Sequence, residues 1–234
     1  MCLIEIIVNI YGMQIHFSNN FGKFTRYDFG VTQVTATVEQ HEHLDALNQG
    51  FLWRHGQWRQ CRSTRVVLSE TNYRLLSDAV IMTDYDYDQL MHINAQYLNY
   101  RNYVYNPADV HIYPGDTIWG YYHQGQLIAW SRIHNYTGAR ETAYFAWDSQ
   151  NMQLRMGARS LEHEIAWAQS LGDHYLYLGA GYESCSKYKS SLRGFEWWTG
   201  AEWSRDVDQY RWLCDQETSI NDFKSYENLI YNAK

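Results

Sequence analysis

The sequence predicts an α+β fold in which a mixed central sheet is flanked by helices, and three observations predict it. From Trp119 to Trp147, aromatic and β-branched runs alternate with turn residues, the pattern of an antiparallel meander. From Arg155 to Leu178, a glycine-bearing turn, a helix and a short strand follow in βαβ order. The 234 residues are 45% hydrophobic, enough for one large domain or two small ones to bury a core without staples.

The elements follow in order. Residues 3 to 10 are rich in Ile and Val and predict a strand, as does Val31 to Glu39, with turn material around Asn19-Asn20 and Gly22 between them. Leu44 to Gln49 ends in Gly50, the signature of a short helix with a glycine cap. Phe51 to Trp58 is an aromatic segment with a turn, and Ser63 to Leu68 a strand entered through Arg62 and Arg65. Arginines so placed either face phosphate or pair with acids. Tyr73 to Val80 predicts a helix. A second helix starts in the acidic stretch Asp84 to Asp88, where Asp suits the first turn, and runs to Asn99. Tyr100 to Tyr113, near Pro107 and Pro114, predicts a central loop. Trp119 to Tyr122, the turn at Gly125 and Leu127 to His134 form a hairpin, and Thr142 to Trp147 a third strand. The helix from Ser160 to Leu171 carries Leu161, Ile165 and Ala168 at the i, i+4, i+7 spacing of one buried face, and Gly172 ends it. The tail from Asp206 to Lys234 predicts one or two helices.

Composition excludes several classes. With 19 Lys+Arg against 26 Asp+Glu the net charge is −7, which argues against a broad basic face that coats nucleic acid, though not against a local basic pocket. Aromatics make up 17% of residues, suited to stacking surfaces or to an aromatic core. The four cysteines form no C-x-x-C pair, so reduced thiols and a cytoplasmic location are expected, and no metal site is assigned. His41-Glu42-His43 offers two ligand-type residues but no third, and reads as a polar helix start. The apolar run at Leu3 to Ile10 lacks a basic n-region and a cleavage site, and no stretch is long enough to span a membrane.

The stretch from Tyr175 to Trp203 carries the strongest functional signal. A strand runs into Gly179 and Gly181, where the backbone can bend and approach a ligand, followed by Tyr188, Lys189 and Arg193. That is a cradle for an anionic, planar group, or an ordinary surface loop.

The βαβ order, preceded by a hairpin, resembles the acetyltransferase-like (GNAT) fold. In that superfamily the turn before the helix carries Q/R-x-x-G-x-G/A, whose amides hold pyrophosphate. Here Leu154 stands three before Gly157 and Arg159 two after it, a bulky cation where a small residue would admit phosphate. More specifically, Tyr121 to Ala129, Tyr144 to Asp148, Met156-Gly157, Ser160, Glu164-Ile165, Leu178-Gly179, Cys185, Tyr188-Lys189, Arg193 and Gly200-x-x-Trp203 resemble the C-terminal domain of arginyl-tRNA–protein transferases. Upstream, Leu47 to Trp58, with Trp53, and Arg62 to Val66, with Arg65, resemble two further segments of that family. The likeness covers about residues 44 to 203. It implies an N-terminal strand-rich segment (1–43), a GNAT-like aminoacyltransferase domain (44–205) and a packed tail (206–234).

The resemblance implies a cytoplasmic aminoacyltransferase that uses aminoacyl-tRNA, arginyl-tRNA first, as co-substrate and forms an amide with a peptide, protein or small-molecule amine acceptor. Only Cys2 precedes residue 60, so no iron–sulfur cluster and no other cofactor is expected. An acyl-CoA-dependent N-acyltransferase and a non-enzymatic RNA- or peptide-binding module are the alternatives. For such a transfer, orientation alone is worth roughly 7–11 kcal/mol. Amides near Gly179 and Gly181 would meet the oxyanion. Asp148, Glu164 and Glu183 are the candidate bases. Asp148 could instead cap a turn, Glu164 could pair with Arg159 or His163, and Glu183 could be plain surface. By resemblance, Lys189 and Arg193 meet the 3′-terminal phosphates and Tyr188 stacks on a base, with Trp53, Arg65, Arg159, Gly179 and Gly181 completing the substrate-binding set.

Overall fold

The computed structural model describes residues 6–10, 12–19, 32–54, 56–181 and 184–217. In chain order these form β1 (Ile6–Ile10), β2 (Met13–Asn19), β3 (Thr32–Thr37), α1 (His43–Asn48), β4 (Phe51–Arg54), β5 (Gln57–Gln60), β6 (Ser63–Val67), β7 (Ala79–Ile81), α2 (Tyr87–Arg101) and α3 (Pro107–Val110). They continue with β8 (Thr117–His123), β9 (Gln126–Tyr136), β10 (Ala139–Trp147), α4 (Met156–Ser170), β11 (Tyr175–Ala180), β12 (Phe195–Trp198), β13 (Trp203–Ser204) and α5 (Val207–Glu217). The α+β class expected from the sequence holds. The chain divides into two compact units, one of residues 1–67 and 177–234, the other Leu68–Leu176.

In the first unit, β1, β2, β3, β5 and β4 form an antiparallel sheet in that order. The β-branched alternation of Thr35 and Thr37 against His16 and Gln14 sets the β2–β3 register. Helix α1 ends as its sequence demands, with Gly50 at φ 76° donating to the Leu47 carbonyl. Strand β6 pairs antiparallel with β12, placing Arg65 opposite Glu196, and β12 pairs with β13. A 3-10 segment, Ser184–Ser191, packs on α5 through Lys187 Nζ to Asp215 (2.6 Å) and the Tyr210 hydroxyl, which donates to the Ser186 carbonyl. The expected strand residues 3–5, the turn at residues 20–31 and the tail beyond 217 lie outside the described residues.

The second unit is an antiparallel meander, β7-β8-β9-β10, with a helix on each face. Because side chains alternate along a strand, Ile118 and Trp130 point to one face and pack with Leu90 and Ile93 of α2, while Trp119, Tyr121 and Ile133 point to the other, with Met156 and Trp167 of α4. The Trp130 indole donates to the Leu90 carbonyl, fixing α2 on its face. Asp86 caps α2 by accepting from the Asp88 and Gln89 amides, and Asn102 ends it in the left-handed region at φ 54°. The Asp116 side chain is buried; it accepts from the Tyr113 amide and lies 2.6 Å from His134 Nδ1, which pins the turn before β8 to β9.

Three expectations are corrected. Tyr73 to Val80 is not a helix: residues 71–78 are irregular, and Val80 and Ile81 instead pair with Gly120 and Trp119 as the outer strand. An unpaired β8 edge recruits β-branched residues more strongly than a short helical pattern holds them. The helix expected at Ser160 begins four residues earlier, at Met156, and the central loop contains α3.

Candidate active site

Four side chains of the second unit form a buried polar cluster under α4. On β8, Tyr121 shares its face with Trp119; on β9, Ser131 sits opposite Trp119 and reaches diagonally to Tyr121. On α4, His163 and Glu164 both turn inward. The Tyr121 hydroxyl lies 3.1 Å from Glu164 Oε1, to which it donates, and 3.1 Å from Ser131 Oγ. All four residues are at most 3% exposed.

Burial decides the protonation of this cluster. Desolvation raises the Glu164 carboxyl to about 7, although hydrogen bonds from Ser131 and Tyr121 pull the other way. Desolvation, reinforced by the charge of Glu164, holds the Tyr121 phenol well above its ordinary value, so it remains a proton donor. His163 is lowered to about 4 by desolvation, which outweighs the nearby charge of Asp78. The Leu76 amide donates to His163 Nδ1 at 2.9 Å, so in the neutral ring the proton resides on Nε2. That nitrogen is buried with no hydrogen-bond acceptor among the described residues, and the ring stands edge-on to Trp119 at 4.3 Å. A carboxyl poised near neutrality, a permanent hydroxyl donor and a neutral imidazole are the components of acid–base chemistry.

Of the expected carboxylates, Glu164 enters this cluster, and it pairs with neither Arg159 nor His163. Asp148 caps a turn: its Oδ1 accepts from the Gln150 amide and its Oδ2 from the Asn151 side chain. Glu183 lies outside the described residues. Arg159 turns to Asp78 at 3.5 Å, and Arg155, just before α4, is left-handed at φ 50°.

The other expected residues belong to the first unit. Arg65 is buried, ion-paired with Glu196 at 2.8 Å and stacked 3.9 Å from the Trp203 ring centroid, so of its two sequence readings the structure places it in the acid-paired one. Trp53 packs edge-on against Trp58. Gly179 and Gly181 have φ of 78° and 121°, which supports the expected bend, but the Gly181 amide already donates to the Arg62 carbonyl. Thr64 joins two members of the expected set: its hydroxyl donates to the Gly179 carbonyl and receives from Lys189 Nζ at 3.4 Å. Lys189 is buried, while Tyr188 and Arg193 are exposed.

Sequence reasoning did not single out Tyr121, Ser131 and His163 as site residues. The hairpin alternation that aligns Tyr121 with Ser131 was the available signal; His163 gave none, because its role depends on a backbone amide 87 residues away.

A family model described as "Arginine-tRNA-protein transferase, C terminus" matches residues 78–199, just over half the chain and the whole of the Tyr121–Ser131–Glu164 cluster. The match covers more than half of the chain and places it in a transferase family; the chain belongs to the family of that description. A solved structure of a GCN5-related N-acetyltransferase from Kribbella flavida is similar over 50% of this chain and 46% of that one, with 12% identity and a TM-score of 0.36. The chain thus spans less than half the length of that protein. No curated protein matches the sequence.

Proposed function

We propose that this protein transfers an aminoacyl group, arginyl first among candidates, from tRNA to an amine of a peptide, protein or small molecule, with Glu164 as the acid–base carboxyl. The observation that carries this reading is the Tyr121–Glu164 pair, a carboxyl raised to about 7 inside the family-matched segment. The acceptor enters as an ammonium. One proton leaves it toward the Glu164 carboxylate, to which the Tyr121 hydroxyl is hydrogen-bonded. The amine nitrogen attacks the ester carbonyl carbon, the bond to the ribose oxygen breaks, and the stored proton returns to that oxygen. The nitrogen's second proton goes to solvent, leaving the amide and uncharged tRNA. A carboxyl with a pKa near neutrality can both accept and return the proton.

No cofactor beyond the charged tRNA is required, since the ester already stores the energy of the amide bond. The cytoplasm, where charged tRNA is made, is the place of action. No helix among the described residues is long and apolar enough to cross a membrane. The acyl-CoA alternative is disfavoured by Arg159, which stands where a small residue would let pyrophosphate approach the helix amides. The test is incubation of the purified protein with a panel of charged tRNAs bearing labelled amino acids, together with peptides and small amines. Labelled amide from one of them supports the reading. Turnover of acetyl-CoA with no tRNA-dependent product would replace it.

A further inference from the structure

On the opposite face of the meander, α2 and the segment after it line an open pocket of about 410 Å³, formed by Met91, Asn94, Ala95, Leu98, Tyr103 and Tyr105. Met91, Asn94, Ala95 and Leu98 recur at the three- and four-residue spacing of one helix face, so the floor is preformed. Its walls are apolar with one polar exception. Asn94 is 1% exposed, and its Oδ1 accepts from the Tyr144 hydroxyl, which leaves the amide NH2 as a donor with no hydrogen-bond partner among the described residues. Tyr103 and Tyr105 are large rings left 42% and 51% exposed, and Arg101 donates to the Tyr103 hydroxyl at 2.9 Å, holding that ring and placing a cation beside the cavity.

We propose that this cavity binds a purine nucleoside, its base stacked on Tyr103 and Tyr105 and a ring nitrogen accepting from the Asn94 amide. A mostly apolar pocket of several hundred Å³ with one placed donor suits a small planar ligand. Stacking on tyrosine and a cation near the rim suit a nucleotide in particular. Asp84, Asp86 and Asp88 lie at the other end of α2, roughly 20 Å from Arg101 by the helix rise, and repel a phosphate chain continuing that way. The same chemistry is offered by a free nucleoside and by the 3′ end of an RNA, and neither is the reacting end of the donor tRNA, because the pocket lies on the opposite face of the meander from Glu164.

Calorimetric titration tests this with four probes: adenosine, a short RNA ending in a 3′ adenosine, the same RNA lacking that nucleoside, and phenylalaninamide. Wild type is expected to bind adenosine or the adenosine-ended RNA, and Tyr105→Ala and Asn94→Asp each to weaken that binding about tenfold. Preference for the complete RNA over the trimmed one assigns the RNA end; equal binding of the two RNAs with binding of adenosine assigns a free nucleoside. Circular dichroism confirms that both variants fold. Unchanged affinity in folded variants, tighter binding of phenylalaninamide than adenosine, or no binding of adenosine with no preference between the RNAs overturns the proposal. Aminoacyl transfer that proceeds while these variants bind as wild type sinks the pocket and spares the proposed activity; adenosine binding without transfer does the reverse.

Discussion

The Tyr121 hydroxyl and the Glu164 carboxylate, 3.1 Å apart and both buried, join a central strand to the helix above it. Removing the hydroxyl deprives the carboxylate of a donor that lowers its pKa. In Tyr121→Phe, Glu164 should titrate above 7, and the protein should lose about 1–3 kcal/mol of stability, as measured by denaturant unfolding near pH 8. A variant as stable as wild type there would show that the pair contributes nothing.

Glu164 also sets a pH dependence. Its folded pKa, about 7, lies above the ordinary 4.5, so the stability it gives is full below pH 4.5 and is lost as pH rises to about 7. The loss amounts to about 3 kcal/mol at most. Glu164→Gln abolishes that dependence. Its melting temperature relative to wild type should rise between pH 4.5 and 7 and level off above. In the transfer assay, the same variant should lose the limb of the pH–rate profile near pH 7.

His163 acts with the opposite sign. Its folded pKa is depressed from 6.5 to about 4, so the stability it gives is present above pH 6.5 and is lost as pH falls toward 4. His163→Gln should unfold less steeply with acid than wild type between pH 6.5 and 4. An unchanged acid limb would mean that the imidazole is not held neutral.

Arg65 should behave as a structural residue. Replacing it with Met leaves Glu196 buried without one of its partners, at a cost of about 3–5 kcal/mol. Thermal unfolding should reveal this with no RNA present. A variant that melts normally yet binds RNA poorly would return Arg65 to the substrate-binding set.

Gly157 need not be glycine. A Cβ there would meet only the Phe145 ring at 3.8 Å, an ordinary contact, and the position is helical. Gly157→Ala should therefore fold with stability unchanged or raised by up to about 1 kcal/mol, read from its melting curve.

The meander, the α4 stripe and the capped α2 were legible because each follows from local chemistry: a period of two, a period of 3.6, and an aspartate at a helix start. Strand β7 was not, since its conformation is dictated by Gly120 and Trp119 some forty residues on. For the same reason Glu164 could be named from its place in a motif, while the reason for its raised pKa could not, because the apolar wall that desolvates it is assembled from distant strands. Arg65 presented two readings in sequence, and only the arrival of Glu196 and Trp203 beside it chose between them.

Strand β7 is three residues long, leaves Val80 and Ile81 exposed, and is followed closely by Asp84, Asp86 and Asp88. Such a brief border with carboxylates at hand offers a neighbouring molecule little to zip onto. Were β7 to come away, the long flank of β8 would be bared instead, and self-association should follow.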